Sequence, residues 1–145
     1  MDWPDGFSNR RFGDALLLIG PESESVVVSY LRGQNNFSKA ERLRFSRMHH
    51  QFALRALPNS AAVRGGIVQP LRSIRLANEA MVYSIASQAQ DGSGAHYYLE
   101  YFVVGPFSAA LFKLEGRGDA LTQVSRFDLV FASARWNEVA VAHYF

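Results

Sequence analysis

The chain has 145 residues, a formal net charge of +2 and no cysteine. This length is typical of one domain with one hydrophobic core, so we predict a single domain over residues 1–145. The lack of cysteine excludes disulfides, thiolate metal sites and cysteine nucleophiles. The small net charge argues against general binding to nucleic acid.

Membrane and export signals are not evident in the sequence. No apolar run approaches the roughly 20 residues that span a bilayer, and the first six residues lack the basic and apolar regions of a signal peptide. The sequence as it stands favours a cytoplasmic location, whereas a periplasmic location would require a leader that has been removed.

The first half of the chain predicts two strands and a helix. Residues 15–19 and 26–31 are short apolar runs separated by a Gly-Pro pair and a polar segment, which is the pattern of a hairpin. Ser38 and Glu41 match a capping box, which predicts that a helix begins here. A Pro-Asn pair predicts that this helix ends after Leu57 and that a loop follows.

Apolar residues lie on two sides of this predicted helix. One stripe recurs at helical spacing, and we expect it to pack against the sheet; its members are Phe45, Met48, Phe52 and Ala56. The other side would form a partner-binding strip for an acidic or amphipathic segment, or for a second copy of the chain. Its members are Leu43, Arg44, Arg47, Leu54 and Arg55, and Leu57 falls on the same side of the helix.

The second half of the chain predicts four strands and a second helix. The strands are expected over residues 71–76, 80–87, 96–104 and 108–114, with an Asp-Gly-Ser-Gly hairpin turn over 91–94. Asp119 is a helix cap, followed at helical spacing by Val124, Phe127, Phe131 and Ala134. The whole order predicts an α+β fold with an antiparallel sheet of about six strands and two long helices.

The strand over residues 96–104 has two faces, because successive side chains of a strand point to opposite sides. One face carries Tyr97, Leu99, Tyr101 and Val103, and the other carries His96, Tyr98, Glu100, Phe102 and Val104. We expect most of these rings to be core. His96 and Tyr98 are candidates for a partner-binding outer face.

No residue pattern predicts a catalytic, cofactor or metal site. His49 and His50 are adjacent on the predicted helix and diverge by about 100°, so they cannot share one ion. His96 and Glu100 share a strand face but lie roughly 13 Å apart. Ser93 belongs to a hairpin turn, whereas a nucleophile elbow requires a turn between a strand and a helix.

Residues 67–136 resemble the C-terminal two-thirds of the PsbP-like domains. The resemblance rests on residues 80–87, 97–104 and 111–115, and on the closing stretch Phe-Asp-Leu-Val-Phe-Ala-Ser-Ala-Arg-Trp. In that stretch Phe127, Val130, Ser133 and Arg135 follow a Phe-x-x-(Ile/Val)-x-x-Ser-x-(Arg/Lys) pattern. The resemblance implies an α/β/α sandwich that binds proteins and has no catalytic residues. Bacterial members that suit this chain are type VI secretion adaptors or chaperones and toxin-immunity proteins.

These observations predict a non-enzymatic protein-binding module, namely a bacterial adaptor, chaperone or immunity protein for a secreted effector or toxin. The alternative is a cystatin-like α+β domain, with or without enzymatic activity, in which the aromatic hairpin lines a small-ligand pocket containing His96 and Glu100. A large enclosed cavity would favour the alternative, and a flat apolar groove would favour a protein partner.

Overall fold

A computed structural model describes residues 3–12, 15–32, 38–76, 80–106 and 108–133. In chain order the elements are β1 (Ser8–Phe12), β2 (Ala15–Ile19), β3 (Ser25–Arg32), α1 (Lys39–Arg64), β4 (Gly66–Arg75), β5 (Met81–Asp91), β6 (Gly94–Val104), β7 (Ser108–Arg117) and α2 (Ala120–Ala132). The seven described strands form one antiparallel sheet in the order β1-β2-β3-β7-β6-β5-β4. The predicted α+β class is confirmed, and β1 is a strand that the sequence did not predict.

Local turn signals place the two predicted hairpins correctly. β2 pairs with β3 along its whole length, and β5 pairs with β6 from Met81 to Asp91. Gly94 closes the second hairpin with a φ of 110°, in the left-handed region that favours glycine. The hairpin turn of β5 and β6 therefore forms where the sequence predicts it.

Alternate residues of β6 belong to two separate hydrophobic clusters. The cluster that includes α2 contains Tyr97, Leu99, Tyr101 and Val103. The cluster that includes α1 contains Phe102 and Val104. The predicted division of this strand into two faces is confirmed.

The α2 helix packs its predicted apolar stripe against the sheet. Its N-cap, Asp119, accepts a hydrogen bond from the Thr122 amide at 2.9 Å. Phe127 and Phe131 are buried, and the Phe131 ring stacks on the Tyr101 ring with centroids 4.0 Å apart. Both phenylalanines are core residues, as predicted, while Ala134 of the same stripe lies outside the described residues.

The α1 helix packs through a different stripe from the predicted one. Its buried residues are His49, Ala53, Leu57 and Ala61. The predicted stripe is displaced from this row by one residue, which rotates it by about 100° around the helix. Met48 and Phe52 are consequently 57% and 46% exposed, so the prediction that they pack into the core is wrong. Small alanines in the buried row allow the helix backbone to approach the sheet closely.

The α1 helix also continues past its predicted end. It runs through Pro58 to Arg64, so the loop predicted over residues 59–66 is wrong. Leu57 and Ala61 are both buried on either side of the proline, and their packing offsets the hydrogen bond that proline cannot donate. The assignment of Leu57 to the outer side of the helix is likewise wrong, since this residue is core.

Candidate functional site

The predicted partner-binding strip lies on the outward side of α1. We call it the α1 outer surface and define it as Leu43, Arg44, Arg47, Leu54 and Arg55. All five are exposed, and the two leucines are each 58% exposed. The helix that presents them begins at the predicted N-cap, where the Ser38 hydroxyl accepts a hydrogen bond from the Glu41 amide at 3.2 Å.

The arginines of the α1 outer surface are not neutralised by the described part of the chain. Arg44, Arg47 and Arg55 form no ion pair with any described residue. Because they lie beside exposed leucines, the surface combines apolar area with positive charge. Such a surface is complementary to apolar residues bordered by carboxylates.

Further apolar side chains of α1 are exposed on the other side of its buried row. They are Met48, Phe52 and Val63. Phe52 retains one contact with the sheet, an edge-on approach to Phe102 with ring centroids 5.4 Å apart. The helix therefore exposes apolar residues on both sides of the stripe that contacts the sheet.

A cleft of about 230 Å³, here called the Tyr98 cleft, lies where the end of α1 meets β3, β6 and β7. The charged side chains at the cleft are Arg64, Glu100, Lys113 and Glu115, and Val27 and Tyr98 add apolar surface. Strand pairing sets Val27 beside Lys113, and Lys113 beside Glu100. A neighbouring cleft of about 280 Å³ shares Tyr98 and Glu115 and includes His96. Both clefts are partly open to solvent.

Contacts among the described residues of the Tyr98 cleft leave one oxygen of Glu100 without a hydrogen bond and Lys113 without an ion pair. Ser60 donates a hydrogen bond to Glu100 Oε1 at 2.7 Å, while Glu100 Oε2 is buried and accepts no hydrogen bond from the described residues. Arg64 pairs with Glu115 at 3.3 Å, and its guanidinium lies 5.6 Å from the centre of the Tyr98 ring. Lys113 forms no ion pair with the described chain.

His96 belongs to a small cluster at the hairpin tip with the composition of a Ser-His-Asp triad. Its Nε2 lies 2.9 Å from Asp91 Oδ2 and 3.1 Å from Ser93 Oγ. Ser93 Oγ also donates to Asp91 Oδ1 at 2.6 Å, and hydrogen bonds from Ser93 lower the pKa of Asp91. In a triad the histidine contacts the serine and the aspartate through different ring nitrogens. Here one nitrogen faces both, so the cluster stabilises the turn and does not activate Ser93.

The adjacent histidines of α1 face different partners. His49 Nδ1 donates to the Phe45 carbonyl oxygen at 2.8 Å, and His50 Nδ1 lies 2.7 Å from the Tyr83 hydroxyl. Burial, together with the nearby His49, lowers the pKa of His50. No group of three or more potential metal ligands occurs in the described ranges.

A polar network that the sequence did not predict ties α2 to the sheet. Arg72 of β4 contacts both carboxylate oxygens of Asp128 at 2.9 Å, and Tyr101 donates to the same carboxylate at 2.7 Å. The hydrogen bond to Asp128 raises the pKa of Arg72. Burial, followed by the bond to Asp128, raises the pKa of Tyr101. Arg72 and Tyr101 both hydrogen-bond to Asp128, while Arg72 Nε is buried without a hydrogen-bond partner among the described residues. We assign this network to stability.

Three charged residues of the Tyr98 cleft are absent from the sequence-based candidates: Arg64, Lys113 and Glu115. Arg64 was missed because the helix was expected to end earlier. The sequence does contain a pattern that could have predicted the other two. Charged Lys113 and Glu115 alternate with buried Phe112 and Leu114 along β7. That alternation places both charges on the same sheet face as Glu100.

Comparison with known proteins assigns no family to this chain. No family model matches it, and no curated protein matches it significantly. Neither of the two described helices combines the length and apolar character needed to cross a bilayer.

Proposed function

We propose that the chain is a non-enzymatic protein-binding module that recognises an apolar segment bordered by acidic residues. The observation that carries this proposal is the α1 outer surface, where Leu43 and Leu54 are more than half exposed beside arginines that form no ion pair with the described residues. Full burial of a leucine contributes about 1.5–3 kcal/mol, so two leucines can supply useful affinity. The arginines would steer encounter and select against basic partners.

The finer proposal is that the chain is a PsbP-like bacterial adaptor, chaperone or immunity protein whose partner is a secreted effector or toxin. The resemblance over residues 67–136 supports it. The two hydrophobic clusters support it as well. One includes α1 and the other includes α2, and each contains alternate residues of β6. An α/β/α sandwich requires one helix on each sheet face. A gene for a secreted toxin beside the gene for this chain would support the finer proposal.

Two synthetic amphipathic helical peptides provide a defined test of the binding surface. Both carry the same leucine stripe, but one is bordered by glutamates and the other by lysines. We expect the glutamate peptide to bind more tightly, and added salt to weaken its binding because exposed charges are screened. Isothermal titration calorimetry gives both affinities.

Matched variants locate the binding. Leu43→Asp and Leu54→Asp should abolish binding of the glutamate peptide, while Leu129→Asp on exposed α2 surface should leave it unchanged. Circular dichroism establishes whether each variant is folded. Unfolding of both α1 variants would show that this side of the helix is core. Equal binding of the two peptides, or loss of binding in the α2 control alone, would contradict the proposed surface.

Sedimentation equilibrium tests whether the partner is a second copy of this chain, because it measures the oligomeric state. If the unmodified chain dimerises and Leu54→Asp makes it monomeric, the α1 outer surface is a self-association site. A dimer that persists in both α1 variants would place self-association elsewhere on the molecule.

A further inference from the structure

Among the residues that the structure describes, none donates a hydrogen bond to one oxygen of the buried carboxylate in the Tyr98 cleft. Glu100 is 5% exposed, and Ser60 satisfies only Oε1. Burying a carboxylate oxygen without a donor is costly, so a site of this kind favours a ligand that supplies one. An ammonium group suits the position because it carries three N–H donors and a charge opposite to that of Glu100.

The cleft also holds a cation available to a ligand. Lys113 lies directly beside Glu100 in the pairing of β6 with β7, yet forms no ion pair with the described residues. Arg64 and Glu115 neutralise each other at 3.3 Å across the cleft. The unpaired groups are therefore one anion and one cation. A ligand with a single charge would satisfy only one of them.

The size of the cleft limits the ligand to a small molecule. Its volume of about 230 Å³ lies below the roughly 300–1,000 Å³ of pockets that take drug-sized ligands. Val27, which is 40% exposed, and the half-buried Tyr98 ring provide apolar area for a short side chain. A free amino acid matches both the two unpaired charges of the cleft and its volume.

We infer that the Tyr98 cleft binds a small zwitterion with the chemistry of a free apolar amino acid. Its ammonium group donates to Glu100 Oε2, and its carboxylate pairs with Lys113. Its side chain contacts Val27 and Tyr98. This site is separate from the α1 outer surface and does not depend on the protein-binding proposal.

Leucine and its two halves test the pairing of charges. The halves are 3-methylbutylamine, which lacks the carboxylate, and 4-methylpentanoate, which lacks the amine. We expect leucine to bind saturably at millimolar concentration or below, and each half to bind about tenfold more weakly or worse, because each leaves one charged group unpaired. Two further amino acids vary the side chain: phenylalanine has a larger one, and glycine has none.

Variants test the two charged groups separately. Glu100→Gln and Lys113→Gln should each weaken leucine binding about tenfold or more. Leu129→Asp, outside both the cleft and the α1 outer surface, should leave leucine binding unchanged. If Glu100→Gln does not fold, two measurements remain. One is leucine binding by Lys113→Gln, and the other is the change that leucine causes in the amide chemical shifts of Glu100, Lys113 and Glu115 in the unmodified chain. Leucine should move those shifts and leave those of the α1 outer surface in place.

Two results would overturn the inference. One is the absence of saturable binding for leucine, phenylalanine and glycine alike, which would indicate that Lys113 pairs with Glu100 directly in solution. The other is equal affinity for leucine and either half. Neither result bears on the α1 outer surface, because binding of the glutamate-bordered peptide is measured independently.

Discussion

Both helices carry phenylalanines that the sequence predicts to be core. Phe131 of α2 is buried, whereas Phe52 of α1 is about half exposed. We predict that Phe131→Ala lowers the free energy of unfolding by about 3–5 kcal/mol. Phe131 is 2% exposed. Its ring stacks on Tyr101 with centroids 4.0 Å apart and meets Phe112 edge-on at 5.0 Å. Aromatic pairs add about 0.5–1.5 kcal/mol beyond area burial, which favours the upper end of the range.

Phe52→Ala is the matched control because it deletes the same atoms from α1. Phe52 is 46% exposed, so only about half of its side-chain area is removed from water. Full burial of a phenylalanine contributes about 1.5–3 kcal/mol, and we expect this variant to cost roughly half of that, about 0.8–1.6 kcal/mol. The comparison depends on a difference between variants, which is more reliable than an absolute sum of buried area.

Urea unfolding monitored by circular dichroism measures both losses. The two variants should have the m-value of the unmodified chain, so that the shift in midpoint reports stability alone. Equal losses, or a larger loss for Phe52→Ala, would refute the assignment of the buried stripe of α1. In that case Met48 and Phe52 would belong to the core, as the sequence pattern suggests.

Three further predictions concern other parts of the fold. Asp128→Asn should cost about 1–3 kcal/mol in the same urea assay, because Arg72 loses its charged partner; an unchanged midpoint would show that the pair contributes nothing measurable. Although burial alone would raise the pKa of Glu24, hydrogen bonds from backbone amides and contact with Arg126 lower it below its ordinary value of 4.5. Its contribution to stability should therefore be present above pH 4.5 and lost as pH falls through the lowered pKa. Thermal melts of the unmodified chain and of Glu24→Gln should converge in acid, and parallel curves would contradict this. Pro58→Ala should restore an amide donor within α1 and raise stability by up to about 3 kcal/mol; a lower melting temperature would show that packing of the proline ring outweighs the restored hydrogen bond.

Strands with local signals could be predicted, and the strand without them could not. β5 and β6 combine apolar alternation with a glycine-containing turn, and both signals act within a few residues. β1 has the sequence Ser-Asn-Arg-Arg-Phe, in which apolar alternation is absent. It is a strand because it pairs with β2 at the edge of the sheet, a tertiary contact that its own residues do not indicate.

The orientation of α1 could not be predicted for a related reason. Apolar residues occur around most of this helix, so periodicity alone does not select one face. The face that packs is the one that fits the sheet, and it combines two alanines with Leu57 and His49. Burial of these residues also holds the helix together beyond Pro58, where local propensity predicts an end. Propensity is overridden here by tertiary packing.

The Tyr98 cleft shows where prediction from local pattern stops. Alternation places Glu100 on one face of β6 and Lys113 on one face of β7. Their adjacency requires the register between those strands, which the sequence does not encode in any local motif. Arg64 reaches the cleft only because α1 continues past its predicted end. The chemistry of the cleft thus depends on three elements whose relative placement is set by the whole fold.

The composition of α1 itself supports a role in binding. A helix needed only to cover its own sheet gains most by burying its largest apolar side chains, because each contributes in proportion to the area removed from water. This helix does so only at Leu57, since it also buries the small Ala53 and Ala61 while Leu43, Leu54 and Met48 are exposed. The exposed group lies on one element, whereas apolar residues without a role are usually scattered singly over a surface. A partner that covers α1 would bury the apolar area that the isolated chain leaves exposed, and this is the physical basis for proposing a protein-binding site on that helix.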